Sequence, residues 1–270
     1  MKWLSKSYVG AILTFLYAPI LVLIVFSFNQ SKSRGAWTGF TFGWYQKLFT
    51  NQLIISALIN TLIIAVISSI VATVLGTMAA IGISNMKRWM RGLVMNITYM
   101  PVINPEIVTG VSLMLLFVFV KNFGMQFDFG FTTLILAHIT FNVPYVILNV
   151  LPKLRQMDSS LYEAAQDLGC NPLQAFMKVV IPEIMPGIVS GFLMAFTYSL
   201  DDFIISYFVS GATSQTLPIV IFSMTRRKVS PEINALSAII FLVVLTVLLI
   251  VNLNDARMER ENQAKVRARV

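Results

Sequence analysis

Three carboxylic acids stand inside long apolar stretches of this sequence, and they are its strongest candidates for chemistry. Glu106 follows a proline within Leu93–Val120, and Asp201 and Asp202 are adjacent within Ile184–Gly211. An acid in such a stretch is costly when the stretch crosses a membrane, so it usually faces a cavity or a partner. Two structural roles stay open beside this: Glu106 satisfying a broken backbone, and the aspartates capping a discontinuous helix.

Other residues that could do chemistry are scarce. His138 is the only histidine and Cys170 the only cysteine, so a multi-histidine metal site and an intrachain disulfide are excluded. The sequence has no GxxxxGKS or GxxxxGKT phosphate loop, no HExxH and no GxSxG pattern. We therefore expect no cofactor, no ATP hydrolysis and no covalent intermediate in this chain. For His138, a hydrogen-bonded packing role is favoured over a proton relay.

The elements that must position these residues are indicated by the composition. Hydrophobic residues make up 57% of the 270 residues and charged residues 12%, against about 45–50% and ~25% in ordinary soluble domains. This balance excludes intrinsic disorder, a nucleic-acid-binding domain and a disulfide-stapled secreted module. A membrane span needs about 20 mostly apolar residues. Six stretches qualify: Tyr8–Phe28, Ala57–Ile83, Leu93–Val120, Phe131–Leu151, Ile184–Gly211 and Ala235–Leu253.

The basic residues predict the orientation of these spans. The net charge is +8, and with the N-terminus inside, the cytoplasmic segments hold thirteen Lys and Arg residues and the outer segments seven. Because cytoplasmic loops carry the excess of Lys and Arg, both termini are predicted to lie in the cytoplasm. No repeat or long linker divides the sequence, so residues 1–270 are interpreted as a single transmembrane domain.

One cytoplasmic segment, residues 152–182, has helix signals of its own. Ser160 stands three residues before Glu163, which is the spacing of a capping box. Leu161–Leu168 is therefore predicted to form a short helix. Gly169 stands where a glycine commonly ends a helix.

A second short helix is predicted directly after the first. Asn171 is a preferred N-cap residue and Pro172 a preferred first helical residue, whereas Pro182 is expected to limit the helix. Ala164 and Ala165 in the first helix have almost no side chain, so another surface could approach that helix closely.

These residues carry a family resemblance. The run EAAQDLG at residues 163–169, followed after eleven residues by Ile181 and Pro182, resembles the EAA loop of ABC-importer permeases. The six-span plan agrees with their type I fold, so the resemblance covers most of the chain. A narrower resemblance is to the C-type permease subunits of spermidine/putrescine importers. It is carried by GFT at 39–41, WY at 44–45, SLDDF at 199–203, LP at 217–218 and VSPEINA at 229–235.

The resemblance implies an all-α integral membrane protein with six transmembrane helices and cytoplasmic coupling helices, in the bacterial cytoplasmic membrane. The chain would be a transport subunit and not an enzyme. A second, different permease subunit, two copies of a cytoplasmic ABC ATPase, and an extracellular or periplasmic binding protein for polyamines would complete the importer, with no nucleic-acid partner. The coupling helix seated in the ATPase would include Glu163, Ala164, Ala165 and Gly169.

A polyamine substrate gives the acids a predicted role. At 1.5 Å per residue, Glu106 lies about 20 Å along the third span and Asp201 about 22 Å along the fifth. Glu106, Asp201 and Asp202 are therefore predicted to line the substrate pathway, where carboxylates replace the hydration of ammonium groups. Asp201 and Asp202 lie about 100° apart on a helix, so one is expected to face the pathway while the other pairs elsewhere. Trp44 is predicted to add cation–π attraction, although an interface anchor needs the same side chain.

Three other functions stay open on the sequence alone. The same machine could carry another cationic or opine-like substrate. A proton-coupled secondary transporter would use the three acids and His138 as a proton relay, but it needs no coupling helix that docks on an ATPase. A purely structural membrane subunit would need neither the acids nor the docking segment.

The predicted orientation makes residue 160 reachable only from the cytoplasm. In a Cys170→Ser background, we expect a Ser160→Cys protein to react with a membrane-impermeant thiol reagent in inside-out vesicles and not in intact cells. A gel-shift assay of the labelled chain measures this. Labelling from outside intact cells would contradict the orientation.

Overall fold

The computed structural model describes residues 2–31, 36–124, 128–158, 160–227, 231–243 and 245–246. These residues are mainly helical and contain no β-strand beyond one isolated pairing of Asn29 with Phe40. The all-α prediction is confirmed. The helices are α1 Lys2–Phe26, α2 Gly43–Thr50, α3 Gln52–Ser84, α4 Arg88–Ile103, α5 Glu106–Asn122, α6 Phe131–Gln156, α7 Ser160–Asp167, α8 Pro172–Ala175, a π turn Phe176–Val180, α9 Ile181–Asp201, α10 Ile204–Val209, α11 Leu217–Arg227 and α12 Pro231–Val243.

Four helical runs are long and apolar enough to cross a membrane. They are α1, α3, α6 and the run Pro172–Asp201, and α4 with α5 makes a fifth span if the bent pair is counted as one. The apolar helices α11 and α12 are shorter than these spans within the described residues. Residues 247–253 of the predicted sixth stretch lie outside the described residues, so a sixth span stays a prediction.

The third predicted span is not one straight helix. α4 ends at Ile103, α5 begins at Glu106, and the two helices are bent by 104°. Pro105 explains the break, because it has no N–H and its ring pushes Asn104 out of helical backbone, to φ −68° and ψ 144°. The predicted height of Glu106 assumed a continuous helical rise, which holds only as far as Ile103, so this height stays a prediction.

A second break interrupts the fifth predicted span. α9 ends at Asp201, Asp202 is extended with φ −61° and ψ 119°, and α10 begins at Ile204. The two aspartates therefore do not share a regular helix, and the angle predicted between them does not apply. The turn of the backbone at Asp202 separates their surroundings instead.

The second short helix predicted within residues 152–182 does not stop at Pro182. It continues through the π turn into α9, so that one helical run extends from Pro172 to Asp201. In the π turn the N–H of Ile181 donates to the carbonyl of Phe176, five residues back. Such a wider turn accommodates a proline that has no N–H to donate, and the predicted limit at Pro182 is wrong.

The chain divides into two compact units, Met1–Gln52 with Ile221–Val270, and Leu53–Val220. In the second unit, α3, α6 and α9 share one apolar core around Val146, Val150 and Ile184. A second core, around Leu134 and Phe141, joins α6 to α3, α5 and α10. α6 is therefore common to both cores of this unit. The interpretation of the sequence as a single domain stays a prediction.

In the first unit, Asn29 ties the end of α1 to residues 36–38. Its side-chain amide donates to the carbonyl of Ala36 at 2.8 Å, and its side-chain oxygen accepts the N–H of Thr38 at 3.0 Å. The residue is buried, so these bonds satisfy an amide that would otherwise be left without partners.

The close packing of α6 depends on glycines in its neighbours. A Cβ atom at Gly76 of α3 would lie 2.6 Å from the Cβ of Val146, and one at Gly187 of α9 would lie 2.9 Å from the carbonyl oxygen of Asn149. Gly191, one turn beyond Gly187, also faces Val146 at 3.3 Å. Small residues spaced in this way let membrane helices approach each other closely.

We predict opposite effects for two alanine substitutions in α3. Gly76→Ala should destabilise the fold by about 1–3 kcal/mol, because the new methyl group overpacks the contact with α6. Gly82→Ala, where nothing lies within 4 Å of the added Cβ, should stabilise the helix by about 0.5–1 kcal/mol. The measurement is the thermal unfolding midpoint of the purified protein in detergent. Equal midpoints for the two variants would show that this contact is not tight.

Candidate functional site

A cavity of about 340 Å³ lies in the second unit, where the two helix breaks come together. Its wall includes Glu106 at the start of α5, Asp201 at the end of α9, and Asp202 in the break that follows. The three predicted acids are therefore brought to one place, although two broken helices rather than two straight ones bring them there. None of the described residues that line the cavity is Lys or Arg.

Glu106 and Asp201 are the more accessible of the three acids. Both residues are exposed in the chain and both line the cavity. Carboxylates that surround one cavity repel each other, and a bound cation would relieve that repulsion. The cavity is therefore suited to a positively charged ligand.

Asp202 has different surroundings. The residue is 9% exposed, and its carboxylate oxygens accept the backbone N–H groups of Ile205 at 3.2 Å and of Ser206 at 2.7 Å. These contacts cap the start of α10. Of the structural roles left open by the sequence, helix capping is therefore the one that the structure shows for Asp202. Although Asp202 lines the cavity, both of its carboxylate oxygens already accept backbone hydrogen bonds.

His138 lies behind the cavity wall. The residue is fully buried in α6, and its Nε2 atom shares a hydrogen bond with the hydroxyl of Ser206 at 3.0 Å. The same Nε2 atom lies 3.5 Å from Asp202 Oδ2. The favoured interpretation, a hydrogen-bonded packing residue, agrees with these contacts. Among the described residues, no group of His, Cys, Asp and Glu is arranged to hold a metal ion.

Aromatic side chains also line the cavity, and the sequence did not predict them. Tyr145 of α6 and Tyr198 of α9 lie with their ring centres 4.5 Å apart, and Phe141 and Phe203 line the same cavity. One signal could have found Tyr198, which stands three residues before Asp201 and so shares its helix face. Nothing in the sequence could indicate that α6 would bring Tyr145 to that place.

Trp44 is placed by contacts within the first unit. It is buried, its indole N–H donates to the carbonyl of Asn29 at 2.7 Å, and the Lys47 ammonium lies 4.9 Å from its ring centre. Local packing accounts for these contacts. A role for Trp44 in the substrate pathway stays a prediction.

The start of α7 differs from the prediction. α7 begins at Ser160, whose N–H donates to Asp158 Oδ1 at 3.0 Å, so Ser160 is inside the helix and is not its cap. This hydrogen bond lowers the pKa of Asp158, and the carboxylate is therefore ionised at neutral pH. Asp158 was not predicted as the residue that caps α7, because the spacing of Ser160 and Glu163 already matches a capping box.

The elbow between the two short helices is as predicted. Gly169 has φ +90°, its N–H donates to the carbonyl of Gln166, and the next N–H, that of Cys170, donates to the carbonyl of Ala165. This pair of bonds is the Schellman ending of a helix. Asn171 then caps α8, exchanging hydrogen bonds with Gln174.

The two alanines of α7 have different surroundings. Ala164 and Glu163 are exposed, and the coupling role predicted for them stays a prediction. Ala165 is 8% exposed, because α7 packs on α8 and the π turn. The small side chain of Ala165 therefore lets this packing within the chain be close, and the coupling role predicted for Ala165 stays a prediction. The exposed apolar residues at this elbow are Leu168 and Leu173, with 86% and 71% exposure.

Comparison with known proteins adds to this geometry. Residues 72–261 match the family described as binding-protein-dependent transport system inner membrane component. The chain is 44% identical to the putrescine transport system permease protein PotI of Escherichia coli over 230 residues, which cover 84% of this chain and 82% of that protein. It is 36% identical to the spermidine/putrescine transport system permease protein PotC of Haemophilus influenzae over 249 residues, which cover 92% and 94%.

Solved structures share the fold. A bacterial ABC transporter involved in the import of the acidic polysaccharide alginate is similar with a TM-score of 0.72 and 19% identity, covering 94% of this chain and 96% of that chain. The alginate transporter in complex with an alginate pentasaccharide-bound periplasmic protein gives 0.70 and 20%, covering 92% and 91%. At these identities the likeness concerns the fold alone, and it confirms the predicted permease fold.

Proposed function

The chain belongs to the family of inner membrane components of binding-protein-dependent transport systems, and from this premise we propose that it is the permease subunit of an ABC importer for polyamines. Relatives named for putrescine and for spermidine with putrescine support the substrate class. The observation in the structure that carries the proposal is a cavity lined by three carboxylates and, among its described lining residues, by no cation.

The chemistry of the cavity suits a flexible chain of methylene groups that carries ammonium groups. Glu106 and Asp201 offer carboxylates to the ammonium groups, and charge attraction is stronger in a partly desolvated site than in water. The rings of Tyr145 and Tyr198 offer faces that attract cations and also contact methylene groups. Each part of such a ligand therefore meets a matching part of the wall.

The alternative cargoes differ in how well they fit this wall. An acidic polysaccharide, the cargo of the alginate transporter, would be repelled by three carboxylates, so the shared fold does not imply a shared substrate. Another cationic or opine-like molecule would meet the same carboxylates. The names of the relatives favour a polyamine over these molecules. A proton-coupled transporter is disfavoured because the chain belongs to a binding-protein-dependent family.

The proposed assembly contains a second, different permease subunit, two ATPase copies and a substrate-binding protein. The family description supports the binding protein, as does the alginate transporter crystallised with its periplasmic protein. We propose that the elbow around Gly169 docks on the ATPase. The exposed residues Leu168 and Leu173 offer apolar contact area there, and Glu163 offers a charge. In this arrangement both termini of the chain lie in the cytoplasm.

A single helical run links the proposed docking elbow to the cavity. It begins at Pro172, directly after the elbow, and ends at Asp201 in the cavity wall. Its 30 residues span about 45 Å at 1.5 Å per residue. A displacement of the elbow when the ATPase pair closes would therefore be transmitted along one rigid element to a carboxylate that binds the substrate.

Neutralising the two accessible acids should weaken transport. For Glu106→Gln and Asp201→Asn we expect each lost charge-assisted contact to cost about 1.5–3 kcal/mol, which corresponds to about a ten- to hundredfold loss of affinity. The measurement is uptake of labelled putrescine and spermidine, beside ATPase activity, in proteoliposomes that contain the whole importer.

The matched control for this pair is Asp128→Asn. Asp128 forms an exposed ion pair with Lys121 at 2.6 Å, which lowers the pKa of Asp128 and keeps it ionised. Asp128→Asn also removes one negative charge, but at a place outside the cavity lining, so it should leave uptake nearly unchanged. Normal uptake of both polyamines by the Glu106→Gln/Asp201→Asn double variant would falsify the proposed acidic site.

The docking proposal is tested at Gly169. Gly169→Asp should leave the chain inserted in the membrane but separate ATP hydrolysis from transport, since a side chain at φ +90° costs roughly 1–2 kcal/mol and displaces the elbow. The control is Gly124→Asp, because Gly124 has φ +89° and equally open surroundings after α5. The ratio of polyamine uptake to ATP hydrolysis should fall only for Gly169→Asp. An equal fall in both variants would assign the effect to backbone strain and not to docking.

A further inference from the structure

His138 is a buried titratable residue that the proposed binding of substrate does not use. It is fully buried, and its Nε2 atom lies 3.0 Å from Ser206 Oγ and 3.5 Å from Asp202 Oδ2. Ser206, also fully buried, donates its backbone N–H to the same Asp202 oxygen at 2.7 Å. The three residues therefore form one connected set of polar contacts behind the cavity.

We propose that His138 is a positioning residue: through Ser206 it holds the Asp202 carboxylate against the backbone of the α9–α10 break, which leaves Glu106 and Asp201 as the carboxylates available to a ligand. The assignment of Glu106 and Asp201 as ligand-binding carboxylates rests on the proposed function. The positioning of Asp202 by His138 does not rest on it, because it follows from the contacts alone.

A buried carboxylate such as that of Asp202 needs hydrogen-bond donors around its oxygens. Asp202 is the only acid of the cavity whose oxygens accept two backbone N–H groups among the hydrogen bonds that the structure describes. Two N–H groups do not fill the acceptor capacity of a carboxylate, and incomplete pairing of a buried charge is costly. The imidazole of His138 and the hydroxyl of Ser206 lie beside the Asp202 carboxylate, where they supply further polar partners for its oxygens.

α6 is bonded to the helices on both sides of this break. It bonds to α9 before the break, where Asn142 Nδ2 donates to Ser199 Oγ at 2.7 Å, and to the end of α10, where Thr133 Oγ1 donates to the carbonyl of Val209 at 2.8 Å. His138 lies between these two contacts along the helix. The close packing of α6 against α3 and α9 fixes the position from which the imidazole reaches Asp202.

The test uses a reporter that does not depend on the substrate. Ile204, the first residue of α10, lines the cavity. In the whole importer with Cys170→Ser and Ile204→Cys, the rate of modification by a small cationic methanethiosulfonate reagent reports how firmly the start of α10 is held. We expect His138→Leu to accelerate this reaction about tenfold, the factor that corresponds to losing one buried hydrogen bond, here that between His138 Nε2 and the Ser206 hydroxyl.

Two further variants separate positioning from packing. His138→Gln places an amide nitrogen near the Nε2 position and should restore most of the slow rate. Ser206→Ala should accelerate the reaction as His138→Leu does, and the two substitutions together should add little, because they break the same link. The matched control is Asn142→Leu, which removes another buried hydrogen bond of α6 without touching Asp202, and it should leave the rate near that of the parent.

The outcomes distinguish this inference from the proposed function. Equal rates in the parent and His138→Leu, or equal acceleration by His138→Leu and Asn142→Leu, would overturn the positioning role. The same holds if His138→Gln behaves as His138→Leu does. If instead the rates change as expected while putrescine and spermidine uptake stays normal in the Glu106→Gln/Asp201→Asn variant, the positioning of Asp202 stands and the polyamine site fails.

Discussion

Inside a bilayer, broken backbone and carboxylates are both expensive, because no water is present to satisfy them. In this chain they occur together. The break after α9 frees backbone N–H groups, and Asp202 accepts two of them. The carboxylate therefore satisfies the broken backbone, and the backbone N–H groups stabilise the carboxylate. His138 and Ser206 lie beside Asp202 on the side away from the cavity. The cavity lies where the break is sheltered by protein, and the rest of the site depends on this arrangement.

α6 makes that shelter possible. It contributes residues to both apolar cores of its unit, and Gly76 and Gly187 let α3 and α9 approach it closely. A helix packed so closely has little freedom, so the polar side chains on it act as fixed supports. α9, which forms the larger part of the run from Pro172 to Asp201, packs along this support, and the run connects the elbow around Gly169 with the cavity as one element.

The sequence by itself determined the features that neighbours along the chain decide. Long apolar stretches predicted the helices, and the elbow at Gly169 and the cap at Asn171 followed from residue types whose preferences are local. The acids stood out because a charge in an apolar stretch needs a partner wherever the stretch is placed. The EAA pattern at residues 163–169 is likewise a local signal, and the family to which the chain belongs agrees with it.

Only the tertiary structure decided which of these residues meet. Pro105 was visible in the sequence, but the 104° bend beside it depends on how α4 and α5 pack. The surroundings of Asp201 and Asp202 differ because the backbone turns at Asp202 and because α6 places His138 beside Asp202 alone, across 64 residues of chain. Tyr145 reached the cavity in the same way, and Ala165 turned inward because α7 packs on its own chain. Contacts between distant segments have no local signature, since their geometry exists only after the helices have packed.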